Sequence, residues 1–139
     1  MKIISAEITS TKIPTFRKHK MNIGTTSHQE NVIVRLRTDT GLLGYGEAPH
    51  MVGHSHNGET PATVRVVLRD KIIPQILGED PTQLERMWGT LQKAVPCNRR
   101  AKSAIMLACC DLAGKALNTP VYNLLGGKVR DGVLLSWSL

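Results

Sequence analysis

Residues 32–48 read VIVRLRTDTGLLGYGEA, and the alternation in them organises what lies on either side. Val32, Val34 and Leu36 alternate with Arg35 and Arg37. A period of two puts the aliphatic groups on one face of an extended strand and the guanidinium groups on the other. Asp39-Thr40-Gly41 supplies a tight turn, because glycine takes the positive φ that such a turn uses. Leu43, Tyr45 and Glu47 form the returning strand. Gly44 and Gly46 fall on its opposite face, where a neighbouring backbone can come close.

Toward the N-terminus the same period recurs. Over residues 2–14, Ile4, Ala6 and Ile8 share one face, and Ser5, Glu7 and Thr9 the other. The expectation is an antiparallel meander of three strands, interrupted by two loops. Residues 15–30 form the first loop and hold Arg17, Lys18, His19, Lys20, Met21 and His28. Residues 50–59 form the second and hold Met51, Val52, His54 and His56. Long loops without secondary structure tend to be functional or mobile.

From Thr60 the period becomes helical. Thr60 caps, Pro61 takes the first helical position, and Pro74 is expected to stop the helix. A second helix is expected with Asp80 as cap, Pro81 at its first position and Gln83 completing a capping box. Leu84, Met87, Trp88, Leu91 and Val95 mark its apolar stripe, and Pro96 ends it. The third helix runs from Arg99 to about Ala116. Ala101, Ala104, Ile105, Ala108 and Leu112 form one stripe, while Met106, Leu107, Cys109 and Cys110 cover most of the other side. A helix apolar nearly all round is buried on more than one side. Asn118-Thr119-Pro120 breaks the chain before a short helix and a Gly-Gly stop. Residues 133–139 then read as a mostly apolar strand, which needs neighbours.

Composition bounds the function classes. The chain has 139 residues, 41% hydrophobic and 21% charged, as expected for one folded domain rather than a disordered segment. There is no run of about 18 apolar residues to span a bilayer, and the charged start argues against a secretory leader. Three cysteines, two of them adjacent, make a poor disulfide framework and point to a reducing cytoplasm. The net charge of +7 is scattered along the chain, and five aromatic side chains offer little for base stacking, so neither nucleic acid nor membrane is expected as partner. His50, His54 and His56 are spaced too loosely for a metal site. Cys109 and Cys110 lie among apolar residues as inert thiols, Glu47 is a structural carboxylate, and Asp111 with Lys115 makes an ordinary helical pair.

Several pieces in this order carry a resemblance. They are Gly44-Tyr45-Gly46-Glu47-Ala48, Pro74-Gln75-Ile76-Leu77-Gly78 before Asp80-Pro81, and Ala101-Lys102-Ser103-Ala104-Ile105 through Asp111-Leu112-Ala113-Gly114-Lys115. Pro120-Val121-Tyr122-Asn123-Leu124-Leu125-Gly126-Gly127 and Val129-Arg130-Asp131 complete the series. Together they resemble the N-terminal capping domain of the enolase superfamily, muconate-lactonizing branch. The segment from Ile13 to Lys20 and the end Ser136-Trp137-Ser138-Leu139 are most similar to muconate and chloromuconate cycloisomerases.

The resemblance implies an α+β fold: a three-stranded meander, a bundle of three to four helices, and then the first strand of a (β/α) barrel. Residues 1–130 would be the capping domain and 131–139 the start of a truncated barrel. It also implies a homo-oligomeric parent isomerase acting through a metal-stabilised enolate of a carboxylate substrate. Its lysines and its Mg²⁺ or Mn²⁺ ligands would lie in the barrel. The resemblance therefore implies no catalytic residue and no metal ligand in this chain, which alone is expected to be inactive. The first lid loop would present His19, Lys20, Met21 and Ile23 to substrate, and the second Met51, Val52 and His54. The alternatives are a dipeptide epimerase or acylamino-acid racemase-like parent, or a free-standing, non-catalytic binding or scaffold module.

Overall fold

The computed structural model describes residues 1–21, 24–51 and 58–136. Three strands, β1 (Ile3–Met21), β2 (Gly24–Thr38) and β3 (Leu43–Met51), form one antiparallel sheet in that order. Helices α1 (Pro61–Val67), α2 (Ile73–Ile76), α3 (Leu84–Ala94), α4 (Arg99–Ala116) and α5 (Val121–Leu124) follow, and a π-helical turn (Leu68–Ile72) joins α1 to α2. The meander-then-helices architecture is as the sequence implied.

The alternation read in residues 32–48 is realised in the sheet. Val32, Val34 and Leu36 are fully buried, and in register Val34 faces Gly46, Leu36 faces Gly44 and Arg35 faces Tyr45. Over the two glycines lies α4. A Cβ on Gly46 would stand 1.7 Å from the Ala104 carbonyl oxygen, and one on Gly44 would stand 2.4 Å from that of Ala108. Helix and strand thus meet backbone to backbone, and the stripe Ala101, Ala104, Ile105, Ala108, Leu112 is buried there. Small residues on both sides make that distance possible. Val64, Leu68, Ile72 and Ile76 from the first helical run and Met87 and Leu91 from α3 close the same core.

Several boundaries differ from expectation. The largest difference is the first loop, most of which is strand: β1 continues to Met21 and pairs with β2 down to Gly24. Thr25, Thr26 and their neighbours are β-formers but polar, so no apolar alternation announces the ribbon. Near the start, a bulge between Ile3 and Ser5 resets the phase, leaving Ile3 1% exposed and Ile4 55% exposed. Pro74 does not stop the helix. The π turn precedes it, with the Ile73 amide donating to the Leu68 carbonyl five residues back, and the helix runs on to Ile76. Asp80 builds a turn rather than a helix cap. Its Oδ1 accepts from the Thr82 amide at 3.0 Å and the Thr82 hydroxyl at 2.8 Å, and α3 begins at Leu84.

Helix α4 is less enclosed than its composition suggests. Leu107 is half exposed and, with Cys110, Ile33, Tyr45 and Val121, lines a groove of about 360 Å³ along the β3 edge. Residues 133–136 belong to no strand among the described residues, and Val133, Leu134 and Leu135 are exposed.

Asp111 and Lys115 do pair, at 2.7 Å, but they also serve the sheet. Asp111 accepts from the Tyr45 amide at 2.9 Å, and Lys115 donates to the Leu43 carbonyl at 2.7 Å. Two edge groups of β3 that would invite another strand are satisfied by α4. Asp111→Ala is expected to lower stability by about 1–2 kcal/mol in thermal unfolding, since it removes a charged acceptor from a backbone donor. Lys115→Ala is expected to cost less, being a partly exposed cation.

Candidate functional site

The candidate site is one end of the sheet. In an antiparallel meander the end of β1, the start of β2 and the end of β3 coincide, and here these are Met21, Gly24 and Met51. Met51 stands opposite Gln29, so the β1–β2 ribbon projects five residues further, on the order of 16 Å. Within it His19 pairs with Thr26, Lys20 with Thr25 and Met21 with Gly24. Both segments that the sequence marked as lids therefore leave from this end.

Of the residues expected to contact substrate, Lys20 is exposed near the ribbon tip. For His19, Met21 and Met51 the described part is the strand backbone, while Ile23, Val52 and His54 lie outside the described residues, as does His56. A register shift between Pro14 and His19 sets four β1 residues, 15–18, against Ser27, and Phe16 is fully exposed on that bulge. From Lys12 to Gln29 the ribbon carries Lys12, Arg17, Lys18 and Lys20 and no acidic side chain. Such a finger favours anions in its vicinity.

The stems of the second segment converge on the first turn of α4. The Arg100 guanidinium donates to the Pro49 carbonyl, and the same nitrogen lies 3.2 Å from His50 Nδ1. The Arg100 amide donates to the Glu59 carboxylate at 3.1 and 3.2 Å. Asn98, at the head of α4, makes no side-chain cap, so Glu59 from a distant loop supplies the acceptor and a favourable charge for the helix dipole. Next to it Thr60 caps α1 as expected, and Thr63 closes a capping box with it as reciprocal partner. His50 and Glu59 are buried. Burial, reinforced by the Arg100 charge and opposed by Glu30, holds the His50 imidazole below its ordinary pKa.

The other candidates behave as structure. Burial pushes the Cys109 thiol up to about 12 and that of Cys110 upward, which leaves both poor nucleophiles. Among the described residues no group of three His, Cys, Asp or Glu side chains is placed to hold a metal ion. Among the same residues no helix is long and apolar enough to cross a membrane. Sequence reading missed Arg100 and Glu59. Their partners lie 41 to 51 positions away, and no local spacing carries that contact.

The family model of the mandelate racemase/muconate lactonizing enzyme N-terminal domain matches residues 3–126. A chloromuconate cycloisomerase from Pseudomonas putida is 32% identical over all 139 residues, yet the chain covers only 37% of that protein. The muconate lactonizing enzyme from Pseudomonas fluorescens, solved with muconolactone, is 34% identical with a TM-score of 0.89 over 94% of this chain and 35% of its own. The dipeptide epimerase from Enterococcus faecalis, solved with Mg and the dipeptide L-Leu-L-Tyr, is 32% identical with a TM-score of 0.82 over 91% of this chain and 35% of its own. The chain thus spans little more than a third of the length of the relatives it matches. From its strand-to-helix register to its Gly-Gly stop, the chain belongs to the mandelate racemase/muconate lactonizing enzyme N-terminal domain family.

Proposed function

We propose that this chain is the capping and specificity domain of a cycloisomerase-like enzyme, and that its two lid segments cover a carboxylate substrate held by a barrel domain. The observation that carries the reading is geometric: the ribbon tip and the second segment leave the same end of the sheet. The substrate's negative charge suits the cationic ribbon around Lys20. Apolar Met21, Ile23, Met51 and Val52 suit exclusion of water, which strengthens every charge interaction beneath them. Exposed Val133, Leu134 and Leu135 and the apolar groove at Leu107 suit contact with a barrel. In the whole enzyme Mg²⁺ or Mn²⁺ in the barrel would stabilise the enolate, assembly would be homo-oligomeric, and the compartment would be the cytoplasm.

The test is a joined enzyme, in which this chain replaces the matching N-terminal part of a muconate cycloisomerase. Metal-dependent lactonisation is expected, with Lys20→Ala raising KM more than it lowers kcat. A folded but inactive joined enzyme, with its barrel shown by spectroscopy to bind metal, would contradict the reading. Dipeptide relatives share the scaffold at similar identity, so the same joining to an epimerase barrel measures the second reading: epimerase activity exceeding cycloisomerase activity would favour it.

A further inference from the structure

We propose that His50, Arg100 and Glu59 form a latch that fixes both stems of the second segment to the first turn of α4 and opens when His50 takes up a proton. Its geometry is a single side chain and its own amide serving two distant stems. The guanidinium of Arg100 reaches Pro49 and His50 on the outgoing stem, while its backbone N–H reaches Glu59 on the returning one. Residues 49 and 59 are thereby tied to one residue of an 18-residue helix seated on the sheet.

The chemistry of the His50 contact makes it proton-sensitive. Arginine only donates, so the His50 Nδ1 at 3.2 Å must accept, and the ring must be neutral with its proton on Nε2. An imidazolium has donors at both nitrogens and a positive charge beside the guanidinium, so this contact turns from attractive to repulsive. A second arrangement is at hand. Glu30 on β2 is the cross-strand partner of His50, and a carboxylate there receives an imidazolium well. Among the described residues, the charged groups facing His50 are Arg100 on α4 and Glu30 on β2. Glu59 sits across the Arg100 amide, and Arg65 on α1 is turned to the Ser10 hydroxyl at 2.9 Å. The device has two states, with His50 on Arg100 or on Glu30.

The sign of the pH effect follows. His50 binds its proton less readily folded than unfolded, so the closed latch is complete above the ordinary histidine range near 6.5. It is lost as pH falls through that range toward the lower folded value.

Segment 52–57 is one of the two lid segments in the reading above, but the test uses this chain alone, so a failed latch and a failed capping reading are separately visible. Amide hydrogen exchange, corrected for intrinsic rates, is followed residue by residue at about pH 7.5 and about pH 5.5. In the unaltered chain the protection of the Arg100 amide and of the backbone flanking residues 52–57 is expected to fall about tenfold at the lower pH, with α3 and the centre of α4 unchanged. His50→Gln keeps a neutral acceptor and is expected to abolish the pH step. Arg100→Lys keeps the backbone N–H that serves Glu59, but its single ammonium cannot span Pro49 and His50, so low protection of the outgoing stem is expected at both pH values. Equal protection of the unaltered chain at the two pH values would overturn the proposal, as would a full step surviving in His50→Gln or protection of the outgoing stem retained in Arg100→Lys.

Discussion

Gly46→Ala is expected to destabilise the chain by about 3 kcal/mol or more, seen as a fall in unfolding temperature of roughly 10 °C. The added methyl would lie 1.7 Å from the Ala104 carbonyl oxygen and 2.9 Å from the Ala108 amide nitrogen. Both are backbone atoms of α4, so no side chain can rotate aside to relieve the clash. The helix must lift off β3, and lifting it opens the contacts of Ala104, Ala108 and Leu112, all fully buried. Gly89→Ala provides the opposing control. Gly89 lies within α3, and a methyl added there would meet nothing within 4 Å, so alanine is expected to stabilise by up to about 1 kcal/mol. A loss below about 1 kcal/mol for Gly46→Ala would mean that α4 does not sit on the strand at this distance.

The second large effect falls on activity. Replacing residues 15–27 by Asn-Gly leaves Pro14 and His28, already cross-strand partners, flanking a two-residue turn. The stability cost is expected to stay within about 1–2 kcal/mol, because none of the described side chains between Ile8 and Val32 belongs to the hydrophobic core, although Thr26 is buried. In the joined enzyme, however, kcat/KM is expected to fall by about 100-fold or more, since the cover and the Lys20 charge go together. Circular dichroism and steady-state kinetics on the same preparation separate the two effects. Unchanged kcat/KM would remove the ribbon from the lid.

How far these features can be read from residues alone depends on the range of the contact behind each. The alternation in residues 32–36, the paired glycines and the alanine stripe of α4 each follow a local period, and the sheet-helix contact emerges from fitting one to the other. Thr60 and Pro61 likewise announce α1 through neighbours a few positions away. Ile4 escapes the pattern because a bulge shifts the phase without leaving a trace in composition. The ribbon resembles a loop in sequence because its pairing is polar, and Pro74 resembles a stop because the π turn that absorbs it has no sequence signature. Lys102 shows the same limit in the core: it is 2% exposed, donating to Gln92 with its ammonium 5.8 Å from the Trp88 ring, where the pattern alone would leave a lysine in solvent. The candidate site is legible as two segments near His19 and Met51. Its anchoring by Arg100 and Glu59 is not, since that depends on how the helix is laid against the sheet.

In the proposed enzyme one end of this sheet closes over a ligand. The most direct measurement is hydrogen exchange across residues 19–23 and 51–54 of the joined enzyme, with and without a saturating lactone product. Slowing of about tenfold in both segments, together with protection at the barrel mouth, is the expected result. Protection confined to the barrel, with both segments exchanging as before, would contradict it.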